Sequence, residues 1–195
     1  MRFLLALAFL CATATAQTIT FDSVPGRDGL QTGYNRFKDE TVIRTKPDVA
    51  TGRVGKGNLL DPKGNARTVE ICAAVIHPGK TPGNIGFVVL AILPESTTRG
   101  GRFLQSTERG PLYIAPDAEV IALADDQRFR LGRVEKADLL DAFGNYTGAA
   151  FLQIPVSDFQ KIAKAKKLEL AVGVIEIKIQ KRTLERLAEL AAIIP

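Results

Sequence analysis

The chain has 195 residues, with 26 Lys and Arg against 21 Asp and Glu, and 46% of its residues are hydrophobic. A single domain of this size can bury about 70% of its extended-chain surface, so an ordinary apolar core is expected. If residues 1–16 are removed as a signal peptide, one His and one Cys remain, which are too few for a dedicated zinc site. No stretch reaches the ~20 uncharged apolar residues that a membrane-spanning helix needs.

The N-terminus has the pattern of a secretory signal. Arg2 precedes an unbroken apolar run, and Ala14-Thr15-Ala16 supplies the small residues that signal peptidase recognises. Residues 1–16 are therefore predicted to be a signal peptide, and residues 17–195 a single domain in the periplasm or outside the cell. A lipid anchor at Cys11 is the less favoured alternative, because a bulky Leu precedes that Cys.

Alternation of apolar and polar residues with a period of two is the commonest pattern and predicts a mainly β fold. Residues 69–76 and 85–93 are almost continuously apolar, as in central strands buried on both faces. The Pro/Gly-rich segment between them predicts a turn with a solvated His77. Cys72 is predicted to be buried and unreactive. Shorter strands are expected around residues 18–22, 41–45 and 150–154.

The clearest local unit is a β-hairpin with strands 120–124 and 129–134 around a polar Asp-Asp-Gln turn. A phase change in the alternation predicts a bulge or tight turn near Gly173. A short helix capped by Ser157 and a C-terminal helix capped by Thr183 are also predicted. The apolar stripe of the last helix consists of Leu184, Leu187, Leu190, Ala191 and Ile194.

Successive antiparallel strands with helices confined to the C-terminal third favour an antiparallel β-sandwich, in which an immunoglobulin-like arrangement is one form. The short helix and the C-terminal amphipathic helix are expected to accompany it. A small closed barrel is the structural alternative.

Three stretches resemble a diffuse group of uncharacterised bacterial exported proteins. They are YNRFKDETVI (residues 34–43), ALADDQRFRLG (122–132) and FQKIAKAKKLELAVG (159–173). The resemblance covers about a third of the chain and implies an exported β-sandwich of the cell envelope. It implies no activity, and no catalytic or binding residues can be carried over from it.

Candidate catalytic and metal-binding residues are sparse. The loop oxygens of Asp61, Asn65, Asp138, Asp141 and Asn145 do not reproduce a calcium-binding loop, and solvated turn residues are the favoured interpretation. No catalytic residue, metal or cofactor is predicted.

Basic residues supply the one candidate interaction surface. The predicted rim consists of Arg128, Arg130, Arg133, Lys164, Lys167, Lys181 and Arg182. If these residues share a surface, they would attract an anionic envelope polymer, a lipid head group or an acidic protein; an ordinary solvated surface is the alternative. Nucleic acid is disfavoured by the export signal and by the lack of aromatic residues in the basic clusters.

The leading functional hypothesis is a non-enzymatic exported interaction or accessory module of the bacterial cell envelope, which binds a protein or another anionic partner. Two alternatives remain open. One is an envelope hydrolase whose carboxylates converge only on folding, and the other is a carrier with an apolar cavity for a small ligand.

Overall fold

The computed structural model describes residues 19–54, 66–81, 83, 85–94, 114, 117–136 and 150–195. The predicted signal peptide and the calcium-ligand candidates Asp61, Asn65, Asp138, Asp141 and Asn145 fall outside these residues. The strands are β1 (Asp22–Val24), β2 (Arg27–Asn35), β3 (Glu40–Thr45), β4 (Asp48–Val54), β5 (Ala66–Pro78), β6 (Phe87–Pro94), β7 (Glu119–Ala124), β8 (Gln127–Arg133), β9 (Glu135–Lys136), β10 (Ala150–Pro155), β11 (Leu168–Val172) and β12 (Ile175–Lys178). The helices are α1 (Val156–Ala163) and α2 (Lys181–Ala191).

The predicted mainly β fold is confirmed, since all these strands belong to one antiparallel sheet. Most of the sheet pairs in a closed ring. Starting from β4, each strand pairs with the next in the order β4, β5, β6, β10 and β9. The ring continues from β8, which precedes β9 in the chain, through β7 and β11 to β12, and β12 pairs with β4. β8 and β9 act as one strand because only Val134 separates them. The described strands therefore form a barrel, and the two separate sheets of the sandwich prediction are not confirmed.

β5 is the centre of the sheet. Its 13 residues pair with β4 in the first half, with β3 in the second half, and with β6 along the other edge. The two central strands predicted at residues 69–76 and 85–93 are thus confirmed, and they pair with each other. β1, β2 and β3 extend the sheet outward from the second half of β5.

The inner face of the ring holds the main core. Alternate residues of the barrel strands are buried there, as the period of a β-strand requires. Both helices pack on this cluster at one end of the barrel, through Phe159 and Ile162 of α1 and through Leu187 and Leu190 of α2. All five residues of the apolar stripe predicted for α2 are buried. The helices thereby close the end of the barrel at which the turn between β7 and β8 lies.

A second, smaller core lies on the outer face of the sheet. Its buried members are Val42, Cys72, Ala74, Val89, Ala91 and Phe151, and the N-terminal residues Ile19 and Phe21 pack against them. The predicted burial of Cys72 is confirmed, and burial raises the pKa of its thiol to about 11. Ile19 lies so close to Gly33 that a Cβ built there would be 2.5 Å from its Cγ2. Gly33 therefore lets the N-terminal segment rest on the sheet.

Four local predictions were wrong. His77 is 1% exposed near the end of β5, since β3 pairs with that segment and extends it beyond the expected turn. Residues 19–21 are not a strand. Ser157 and Thr183 are not caps, because α1 and α2 begin one and two residues earlier, with Pro155 and Gln180 at the N-cap positions.

The turn predicted near Gly173 is confirmed. Residues 173 and 174 connect β11 to β12, and Gly173 has a φ of +58°. Leu168, Leu170 and Val172 before the turn and Ile175 and Ile177 after it all face the core. The two-residue turn accounts for the phase change in the sequence.

We expect Gly33→Ala to loosen the N-terminal segment and expose the outer core. The added methyl group would meet Ile19 and the backbone oxygen of Thr20, which should cost about 1–3 kcal/mol. Cys72 should then react roughly tenfold faster with a thiol reagent, because local opening controls access to a buried group. Gly86→Ala is the matched control, since a Cβ there meets no atom within 4 Å. Equal labelling rates in both variants would contradict this role of Gly33.

Candidate partner-binding site

The ring has a seam between β8 and β10. β10 pairs with the two residues of β9, through Ala150 and Phe151. Among the described strands, β8 itself pairs with β7 alone. A Cβ built on Gly132 would lie 3.4 Å from Cδ1 of Leu152, so β8 and β10 touch near that point. Between there and the start of β8 at Gln127, the edge of β8 has no ladder partner in the described part of the chain.

A β-bulge in β8 lies next to the contact between the two strands. Val120 pairs with Gly132 but Ile121 pairs with Arg130, which leaves Leu131 as the extra residue. Gly132 has a φ of +122°, a backbone conformation that favours glycine. Bulges bend a strand and increase its local twist. The bulge is therefore a physical reason for β8 to diverge from β10.

An open cleft of about 310 Å³ lies at the start of β8, where the seam is unpaired. It is lined by Ala124, Asp125, Gln127 and Phe129 from the β7–β8 hairpin and by Lys161, Lys164 and Ala165 from α1 and the segment that follows it. Phe129 is half-buried against the main core, and the lysines belong to the opposite wall. The cleft thus combines an apolar floor with a basic wall.

The hairpin turn fixes one side of the cleft. Asp125 and Asp126 have φ values of +45° and +68°, as the two central residues of a type I′ turn require. The predicted hairpin is confirmed, with Gln127 in the strand rather than in the turn. The Asp125 carboxylate accepts hydrogen bonds from the backbone N–H groups of Lys166 and Lys167 at 2.9–3.0 Å. These bonds tie the turn to the connection between α1 and β11 and hold the pKa of Asp125 below its usual range.

The seven residues of the predicted basic rim do not form one surface. Arg128 and Arg130 lie on the exposed outer face of β8, opposite Leu123 and Ile121 of β7. Lys167 is exposed next to the turn, and Lys164 lines the cleft. These four basic residues surround the start of β8, and we call them the seam cluster.

The other three predicted residues lie elsewhere. Arg133 is at the far end of β8, where it donates a hydrogen bond to the backbone oxygen of Asp117. Lys181 and Arg182 begin α2 and approach Glu185 and Asp48. β4, which carries Asp48, is four strands from β8 in either direction around the ring.

Two of the four residues of the seam cluster form ion pairs with glutamates. Arg130 lies 3.5 Å from Glu119, and Lys167 lies 3.3 Å from Glu169. Arg128 and Lys164 have no carboxylate partner in the described part of the chain. Their charges flank the seam from the outer face and from the cleft, and remain available to a ligand.

The charged side chains that line the cleft are one aspartate and two lysines among the described residues. Asp125 is the one carboxylate among its described lining residues, and its low pKa makes it a poor proton donor. The described residues contain no group of three or more His, Cys, Asp or Glu side chains that could hold a metal ion. Sequence reasoning found the basic residues and the turn, but the seam depends on the pairing of β9 with β10, which no local pattern indicates.

Comparison with protein-family models, with curated proteins and with solved structures finds no match for this chain. In the described part of the chain, neither helix has the length and apolar character needed to cross a bilayer.

We expect Asp125→Asn to lower the melting temperature at pH 7 by about 2–4 °C, because the amide offers one oxygen to N–H groups that now bind a carboxylate. A lowered folded-state pKa means that the carboxylate stabilises the fold above the unfolded-state pKa. This contribution is lost as the pH falls through the folded-state pKa. The difference between variant and wild type should therefore narrow towards pH 2.5 in thermal unfolding measurements.

Asp126→Asn is the matched control, because Asn also tolerates positive φ and Asp126 makes no hydrogen bond of this kind in the described part of the chain. A pH-independent difference, or equal effects of the two substitutions, would be inconsistent with the proposed role of Asp125.

Proposed function

We propose that this protein is a non-enzymatic interaction module of the bacterial cell envelope that binds an acidic protein partner at the seam cluster. The observation that carries the proposal is the position of Arg128 and Lys164. Both charges lack a carboxylate partner among the described residues. Lys164 lines the open cleft together with Phe129, and Arg128 lies next to Phe129 in the chain, on the outer face of β8.

The composition of the outer face favours a protein partner over a uniformly charged surface. Leu123 is 37% exposed and lies directly opposite Arg128. Arginine and exposed apolar side chains in contact are typical of protein interfaces. Glu119 and Glu169 lie on the same face and would be repelled by a continuous anionic surface. A protein can place its acidic groups between these glutamates.

The predicted signal peptide supports the envelope part of the proposal. The predicted signal peptide ends at residue 16, three residues before Ile19 packs on the outer core. Ile19 and Phe21 pack on the outer core, so cleavage after residue 16 would fall outside this packed segment. The cleaved chain would keep its packed N-terminal segment intact.

We expect the exported protein to have an intact mass that corresponds to Gln17–Pro195. Expression of the full precursor in a bacterium, followed by mass spectrometry of the periplasmic fraction, measures this directly. A lipid-modified chain that begins at Cys11, or an uncleaved cytoplasmic chain, would contradict it.

We expect the double substitution Arg128→Gln and Lys164→Gln to weaken binding of polyglutamate, a generic acidic polypeptide, by roughly 2- to 30-fold. Each exposed charge pair contributes about 0.2–1 kcal/mol, and 1.4 kcal/mol is a tenfold change in affinity. Isothermal titration at low and at moderate salt measures the change, and the difference should shrink as salt screens the charges.

The matched control is Arg36→Gln with Lys80→Gln, which changes the net charge by the same amount at a different part of the sheet. Arg36 lies in the β2–β3 turn and Lys80 follows β5, and both are exposed. Equal losses in the two double variants would show binding to net charge alone and would overturn the proposal. Binding to phosphatidylglycerol vesicles without binding to polyglutamate would assign the surface to lipid instead.

A further inference from the structure

The unpaired edge of β8 has a defined hydrogen-bonding pattern. In a hairpin with a two-residue turn, the residues that flank the turn, here Ala124 and Gln127, form a hydrogen-bonded pair. Hydrogen-bonded and non-hydrogen-bonded pairs then alternate along an antiparallel ladder. Phe129 therefore directs its backbone groups to β7. Arg128 and Arg130 direct their backbone N–H and C=O groups to the open edge of β8.

These backbone groups have no second strand among the described residues, where β8 is the end of the ladder. An exposed strand edge is a template for another strand. Natural edges are commonly protected by charged side chains or Pro, or by a covering element. Here arginine side chains occur on the outer face, and the cleft lies between the hairpin and the end of α1.

The two faces of β8 specify what such a strand would carry. Arg128 and Arg130 project from the outer face, so residues directly opposite them would be acidic. Phe129 belongs to the cleft lining, so the residues that alternate with the acidic ones would be apolar and enter the cleft. Lys164 in the opposite wall can bind a further carboxylate at the end of the strand.

We propose that the partner binds by strand addition: an extended segment that alternates acidic and apolar residues pairs antiparallel with the open edge of β8. This inference rests on the proposed function, because it specifies how the acidic partner binds at the seam cluster. All ladders of the sheet are antiparallel, so the added strand continues the existing pattern. Main-chain hydrogen bonds supply affinity in this mode, and the alternate side chains supply specificity.

The proposal predicts which backbone groups of the ligand matter. In a hydrogen-bonded antiparallel pair, the two opposite residues exchange both N–H···O=C bonds and their side chains lie on the same face. The residues opposite Arg128 and Arg130 are the acidic ones. The N–H groups of the acidic residues therefore bind β8, and the N–H groups of the apolar residues face away.

The first test uses a short synthetic peptide that alternates Glu and Val, with two N-methylated copies. Methylation of the Glu nitrogens removes the N–H groups that face β8 and should weaken binding at least about tenfold. Methylation of the Val nitrogens leaves those groups intact and should have little effect. Both copies keep the charge of the parent peptide. Equal affinity of the two methylated copies would overturn strand addition.

The second test changes the protein edge. Arg128→Pro and Arg128→Ala both remove the arginine charge, but the Pro variant also removes the edge N–H. Pro is accepted on edge strands whose N–H does not belong to a ladder. Binding of the Glu-Val peptide to Arg128→Pro should be at least about tenfold weaker than to Arg128→Ala. Equal affinity in two folded variants, judged by their melting temperatures, would also overturn the proposal.

Amide hydrogen exchange of the wild-type protein gives an independent readout that remains valid if Arg128→Pro does not fold. Addition of the Glu-Val peptide should slow exchange at Arg128 and Arg130 and leave Phe129 unchanged, since its N–H already pairs with β7. If the peptide does not slow amide exchange at Arg128 and Arg130, strand addition is wrong. The proposed function still stands in that case if the Arg128→Gln/Lys164→Gln variant binds polyglutamate more weakly than the Arg36→Gln/Lys80→Gln variant. If polyglutamate fails to distinguish them as well, both are wrong.

Discussion

The three-way pairing of β5 is the constraint on which the rest of the fold depends. One edge of this strand is shared by β4 and β3, and the other edge is occupied by β6. Both faces are buried, because Val69, Ile71 and Ala73 face the barrel interior while Cys72 and Ala74 face the outer core. A shift of one residue would exchange the two faces along the whole strand. The register of β5 therefore fixes the ring and the β1–β3 extension together.

Closure of the ring depends on a much shorter contact. β9 contributes two residues to the ladder with β10, and the bulge at Leu131 turns the remainder of β8 away. The divergence leaves the open edge at the same barrel end as both helices. The Asp125 carboxylate connects that end of the hairpin to the chain after α1 through two backbone N–H groups. The wall of the cleft and the open edge are therefore held in one arrangement by local hydrogen bonds.

The sequence was sufficient where local periodicity determines structure. Nearly continuous apolar runs identified β5 and β6, alternation around a polar turn identified the β7–β8 hairpin, and helical spacing identified the buried stripe of α2. Prediction from the sequence failed where pairing with a distant strand determines the local structure. Pro and Gly after His77 predict a turn, yet pairing with β3 carries β5 through His77 and buries its ring.

The helix starts show a second kind of failure. Ser157 and Thr183 have side chains suited to capping, but both occupy the first turn of a helix. Pro155 takes the N-cap position of α1, at the junction with β10, so the end of a strand decides where the helix begins. The seam is the extreme case, since its position follows from the β9–β10 pairing, and neither strand has a local signal for the other. Composition could identify the basic residues, but their grouping required the complete ring.

Charge and strand edge would contribute differently to the proposed recognition at the seam. Exposed charges act over about 8–10 Å at moderate salt, and they mainly accelerate encounter and align the partner. Backbone hydrogen bonds act at contact and are less sensitive to salt, so they slow dissociation. Past the bulge, β8 lies against β10, where a Cβ built on Gly132 would be 3.4 Å from Cδ1 of Leu152. This contact would block an acidic strand that shifted past the bulge, so it would confine an added strand to the first part of β8.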